Sequence, residues 1–137
     1  MTDFSILPIL QNIPLFKGLD SSLHEEIIKH ITLQYYPANY QLFTEGDVGT
    51  KMYIMKRGSV RIYKQKTDEQ IAILGEKSFF GEMALIADQP RTASAKTTEE
   101  SEIFILEKND FDLLLSKNPT AQKAIKDTYT VRSSLNK

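Results

Sequence analysis

The chain has no cysteine and no tryptophan, only two histidines, and six glycines in 137 residues. Without cysteine there are no disulfides, no thiolate metal sites and no cysteine nucleophile, a composition that fits a reducing compartment. His24 and His30 are set about 240° apart on a helix of 3.6 residues per turn, so they do not share a face. His24-Glu25 opens the pattern of a zinc helix, but Ile28 stands where the second histidine belongs. No metal site is expected. The glycines at 18, 46, 49, 58, 75 and 81 form neither G-x-G-x-x-G nor a P-loop. A G-x-S-x-G nucleophile elbow is also absent. With no triad pattern either, the chain is not expected to be an enzyme.

Charge of one sign is lacking too. Seventeen basic residues face 18 acidic ones, for a formal net charge of −1. That balance leaves no footprint for sequence-independent nucleic-acid binding. No run approaches the roughly 20 apolar residues that cross a bilayer. The N-terminus carries Asp3 and Pro8 without a basic stretch, unlike a signal peptide. The expectation is a soluble, cytoplasmic protein with no nucleic-acid or membrane partner.

What is present is a globular balance, 41% apolar and 26% charged. Length predicts one domain over 1–137, in three regions. Residues 1–31 read as helical, with Ile6, Leu7, Ile9 and Leu10 in a cluster and Leu23, Ile27, Ile28 and Ile31 at helical spacing. Asp20 or Ser22 can cap the second helix, and Ser22-x-x-Glu25 has the form of a capping box. Between them, Ile13 to Leu19 reads as a turn with apolar anchors. Residues 32–107 change to short strands, with candidates at 41–45, 51–56, 59–65, 70–74, 92–98 and 102–106. Turn signals separate them, which predicts a small antiparallel barrel or jelly roll. Residues 108–137 are helical again, one helix starting at Asn109 or Asp110 and another at Asn118-Pro119. The class is therefore α+β, helices flanking an antiparallel β-roll.

The chemistry concentrates in residues 79–95, FFGEMALIADQPRTASA. Glu82 to Ala87 are good helix formers, and Arg91 returns beside them at the start of a predicted strand. The start of a short helix leaves N–H groups that attract an anion, and arginine adds a permanent charge with a planar donor fork. Gly81 lets a ligand approach the backbone without a Cβ. Glu82 would repel a bare phosphate, but it suits a ligand that also offers a hydroxyl near the phosphate. The segment asks for an anion and a neighbouring hydroxyl on one small molecule.

This segment resembles the phosphate-binding cassette of the cyclic nucleotide-binding domain family. The likeness extends through Ile13-Pro14-Leu15-Phe16 with Leu19. It continues through Phe43-x-Glu45-Gly46-Asp47-x-Gly49-x-x-Met52-Tyr53, then Gly58 and Val60. It departs at Lys77, where the family usually has a second glycine in the turn before the cassette.

The resemblance implies an eight-stranded β-roll with flanking helices that binds cAMP, or cGMP, and needs no other cofactor. By position, Arg91 pairs with the cyclic phosphate and Glu82 accepts from the ribose 2′-hydroxyl. The backbone of Gly81, Met83 and Ala84 meets sugar and phosphate, Thr92 adds a hydroxyl, and Phe80, Pro90 and Ala93 complete the cassette. Ile62 and Ala72 match positions that line the base. Helix 119–135 stands where the family has a lid, with Arg132 on its apolar stripe as a cap for the purine. Tyr129 is the alternative cap, and Arg132 snorkelling from a core-facing position is the structural reading. The expected function is a stand-alone sensor acting through an unidentified downstream protein. A ligand-free scaffold, with Arg91 paired to Glu82, is the alternative. With the chain ending at Lys137, no DNA-reading module is expected. Glu45 is read as a structural partner. Gly46, Gly49 and Gly58 are read as turn glycines with positive φ, and Lys64, Lys66 and Lys77 as a solvated face.

Overall fold

The computed structural model describes residues 4–87 and 89–135, with side chains for 5–87 and 89–127. A 3-10 turn over Phe4–Ile6 leads into α1 (Leu7–Asn12), followed by α2 (Ser21–His30). Eight strands follow among the described residues: β1 (Thr32–Tyr36), β2 (Gln41–Phe43), β3 (Lys51–Arg57), β4 (Val60–Tyr63), β5 (Gln70–Leu74), β6 (Phe79–Phe80), β7 (Ser94–Thr97) and β8 (Ser101–Glu107). A 3-10 helix over Glu82–Leu85 interrupts them. The chain closes with α3 (Lys108–Ser116) and α4 (Pro119–Leu135).

The strands form two antiparallel four-stranded sheets, in the orders β1-β8-β3-β6 and β2-β7-β4-β5. This is the expected α+β roll. β3 and β8 pair at the centre of the first sheet, Met52 opposite Leu106 and Ile54 opposite Phe104. Both faces of that pair are covered, which is why their sequences read as continuous apolar runs rather than alternating ones. Met52, Ile54, Phe104 and Leu106 pack outward against Phe16, Ile27 and Phe111 of the helical layer. Tyr53, Met55, Ile103 and Ile105 point inward, against Val60 and Ala95 of the second sheet. Each such aliphatic or aromatic side chain contributes roughly 1.5–3 kcal/mol by leaving water.

The local signals resolve in specific ways. Asp20, not a Ser22–Glu25 box, caps α2, its Oδ1 accepting from Leu23 N at 2.9 Å and from Ser22 Oγ at 2.8 Å. Those bonds hold the Asp20 carboxyl below its usual range. Asn118 caps α4 as expected, Oδ1 accepting from Ala121 N at 3.0 Å. The turn before α2 buries Ile13, Leu15, Phe16 and Leu19. α3 starts at Lys108, earlier than Asn109, and without a side-chain cap. The expected strand at 92–98 begins only at Ser94. The cassette helix is a 3-10 helix of four residues, shorter than the Glu82–Ala87 expected. β1 and β6 carry no sequence signal of their own: β1 is an exposed edge strand and β6 has two residues.

Candidate functional site

Gly81 leaves β6 with φ +78, a left-handed turn that glycine adopts without steric cost, and starts the 3-10 helix. Pro90 then bridges to Val48 in the turn between β2 and β3. These elements enclose a cleft of about 330 Å³, lined by Phe79, Phe80, Gly81, Glu82, Met83, Ala84, Ala87, Gln89, Pro90, Arg91, Thr92 and Gly49.

Arg91 sits at its base. Its backbone is fixed from both sides, N donating to Asp47 O at 2.6 Å and O accepting from Gly46 N at 2.9 Å. Its guanidinium donates from Nη2 to Lys51 O at 2.7 Å and lies over the Phe43 ring, 4.1 Å from the centroid. Phe43, Tyr53 and Phe80 make an aromatic wall behind it, Tyr53 and Phe80 stacked at 4.9 Å and 8°. Burial pulls the guanidinium below its ordinary value, while Tyr53 and Asp47 act to raise it. Arginine stays charged regardless. Burial also pushes the Tyr53 hydroxyl up to about 12, so the phenol is neutral. Among the described residues no ion pair involves Arg91. Burying a cation is costly, and an incoming anion offsets that cost.

Two glycines make room for this guanidinium. A Cβ on Gly49 would stand 2.9 Å from Arg91 Cζ and Nε, and one on Gly81 would stand 2.7 Å from Nη1. Gly49 was expected to be a positive-φ turn glycine, but positive φ is found at Gly46, Gly58 and Gly81 instead. Its requirement is close approach. Glu82 is half-buried at the cleft wall, with Oε2 sequestered from solvent. The Ala84 amide turns inward to Gly81 O at 3.1 Å, closing the 3-10 turn.

Of the twelve expected ligand residues, the cleft brings together Phe80, Gly81, Glu82, Met83, Ala84, Pro90, Arg91 and Thr92. Ala93 is buried and does not line the cleft. Ile62 and Ala72 face each other across β4 and β5, half-buried, but do not line the cleft. The Arg132 and Tyr129 side chains lie outside the described residues. Sequence reasoning did not place Gly49, Gln89, the Lys51 carbonyl, Phe43 or Tyr53 at the site. Gly49, Phe43 and Tyr53 stood only in the motif that carries the family likeness, with no role beside Arg91. Lys77, the departure from the family pattern, adopts the left-handed φ of +72, and its N–H donates to Met55 O at 2.9 Å.

The family model of the cyclic nucleotide-binding domain matches residues 33–118, which span the roll, the cleft and α3. The chain belongs to the cyclic nucleotide-binding domain family. It is 30% identical over 127 residues to the cyclic nucleotide-gated channel alpha-4 of Mus musculus, covering 88% of this chain and 22% of the channel. It is 31% identical over 109 residues to the cyclic AMP receptor protein of Thermus thermophilus, covering 77% of this chain and 50% of the receptor. This cyclic nucleotide-binding domain thus spans half or less of these relatives' own length. In structure it resembles the N-terminal domain of a transcriptional regulator from Streptomyces coelicolor, with TM-score 0.80 and 25% identity, over 93% of this chain and 94% of that one. It also resembles the regulatory domain of Toxoplasma gondii PKA in complex with cAMP, with TM-score 0.70 and 27% identity, over 78% and 42% of the two chains. Among the described residues of the domain, no helix is long and apolar enough to cross a membrane.

Proposed function

We propose that the cleft binds cAMP, with cGMP as a second ligand, and that 1–137 acts as one sensor unit whose output is read by another protein. The observation that carries this reading is the Arg91 guanidinium, half-buried, without an ion-pair partner among the described residues, and seated between Gly49 and Gly81. In this reading Arg91 takes the cyclic phosphate through its donor fork. Glu82 accepts from the ribose 2′-hydroxyl, a role that uses its negative charge rather than opposing it. Gly81, Met83 and Ala84 meet the sugar-phosphate, with Phe80, Pro90, Thr92 and Ala93 shaping the pocket. Ile62 and Ala72 flank the base from the second sheet, beyond the cleft itself. The purine face left open by this grip is covered by α4, with Arg132 or Tyr129 as the capping residue, because removing that face from water is favourable.

The names of the relatives support the ligand class, and the T. gondii neighbour holds cAMP. Calorimetric titration with cAMP, cGMP and a cyclic dinucleotide in parallel tests the reading. Saturable binding of cAMP is expected. Heat from none of the three would leave the fold as a ligand-free scaffold.

A further inference from the structure

The segment between the cassette and β7 is anchored at both ends by different means. Arg91 is held by backbone bonds to Gly46 and Asp47. Ser94 Oγ accepts from Glu45 N at 2.8 Å and donates to Gln65 Oε1 at 2.8 Å. Thr92 lies between these anchors, exposed, in a bend that belongs to neither sheet. Its carbonyl is taken by a side chain at the end of the neighbouring strand, β4: Lys64 Nζ donates to Thr92 O at 2.7 Å.

Lys64 is built for that reach. Its backbone closes the β4–β5 hairpin, N donating to Glu69 O and O accepting from Asp68 N, both at 2.8 Å. Its ammonium lies 4.0 Å from Glu45 Oε2, and Glu45 Oε1 accepts from Gln65 N at 3.0 Å. Glu45 therefore answers the lysine's charge and steers it. An ammonium already matched by a carboxylate and aimed at a carbonyl is a weak receiver for a phosphate and a strong tether for backbone. Lys64 stays partly solvated, as expected for the lysine face, but its ammonium is aimed at backbone, and it does not line the cleft.

We propose that Lys64 is a positioning residue for the nucleotide site: by holding the Thr92 carbonyl it fixes how the Thr92 side chain enters the cleft, and so sets nucleotide affinity through that residue. This rests on the cleft binding a cyclic nucleotide, as proposed above.

The test is a double-mutant cycle on the full chain, read by calorimetry with cAMP and cGMP. Lys64→Met keeps the alkyl stem and removes the donor. It is expected to weaken binding about three- to tenfold, the size of one ordinary hydrogen bond, because the exposed position screens the lysine's charge. In a Thr92→Ala background the same change is expected to cost less than about twofold, because the cycle isolates the shared term. Lys64→Arg is expected to restore most of the affinity. A loss of equal size in both backgrounds, or affinity in Lys64→Met within about twofold of the parent, overturns the proposal while leaving the ligand assignment standing. Amide exchange of the ligand-free protein supplies a readout independent of any ligand. Thr92 and Ala93 should exchange faster in Lys64→Met and not in Lys64→Arg. If the parent binds neither nucleotide, the ligand assignment falls and with it the affinity role. Unchanged exchange at Thr92 and Ala93 overturns the tether itself.

Discussion

The Arg91 guanidinium occupies the space that a side chain at Gly49 would need, with a Cβ there only 2.9 Å from Cζ and Nε. Gly49 does not have a positive φ, so alanine fits its backbone and the conflict is purely one of space. A Cβ there would stand equally close, 2.9 Å, to Ala84 Cβ of the cassette, so Gly49→Ala should displace Arg91 or the cassette and weaken cAMP binding by roughly tenfold or more, which is about 1.4 kcal/mol. Gly18→Ala is the control. Its φ is not positive and nothing lies within 4 Å of a Cβ there, so it should hardly alter stability or affinity. Calorimetry paired with urea unfolding separates the two. Equal effects on affinity would contradict the close-approach role of Gly49.

Glu82 is expected to read the sugar hydroxyl. A charged acceptor bonded to a hydroxyl contributes about 1.5–3 kcal/mol, so Glu82→Ala should weaken cAMP about 10- to 150-fold. A 2′-deoxy analogue should lose far less. The comparison of the two ligands on the two proteins decides it, and equal losses would remove this role.

Lys77 holds a left-handed conformation, φ +72, that costs an L-residue roughly 1–2 kcal/mol. Lys77 is exposed and its N–H bond to Met55 O would survive in glycine. Lys77→Gly should raise stability by about 1 kcal/mol or less, part of the gain being offset by the freer unfolded chain, for a Tm rise of roughly 2–5 °C. Lys77→Ala should give no rise. Scanning calorimetry checks both, and a fall in Tm for the glycine variant would mean that the turn is not strained.

The cassette was legible in the sequence because its parts are contiguous: Gly81, Glu82, Pro90, Arg91 and Thr92 fall within one short segment and meet in one cleft. The supports were not legible, because they come from remote strands. Gly49, Phe43 and Tyr53 reach Arg91 only once β2 and β3 fold over it. Lys64 read as one more surface lysine, since nothing local says that its ammonium meets Thr92 O. β1 was missed for a different reason. Thr32, Leu33, Gln34 and Tyr35 are all exposed at a sheet edge, so no alternation marks the strand.

The proposed lid makes a prediction about α4. If α4 covers the purine, nucleotide should slow amide exchange across residues 119–135, since docking raises the free energy of local opening. Unchanged protection at saturation would contradict the lid. If protection rises while Arg132→Ala and Tyr129→Ala each keep full affinity, the lid stands and neither residue is the cap.

The central claim is that Arg91 is held, charged and half-buried, for the phosphate of a cyclic nucleotide. The most direct measurement is calorimetric titration of cAMP into the parent and into Arg91→Ala, with circular dichroism showing both folded. Losing one partner of a desolvated charge pair costs about 2–5 kcal/mol, so binding should weaken about 30- to several-thousand-fold. An Arg91→Ala affinity within about threefold of the parent, well under one such charge pair, would contradict it.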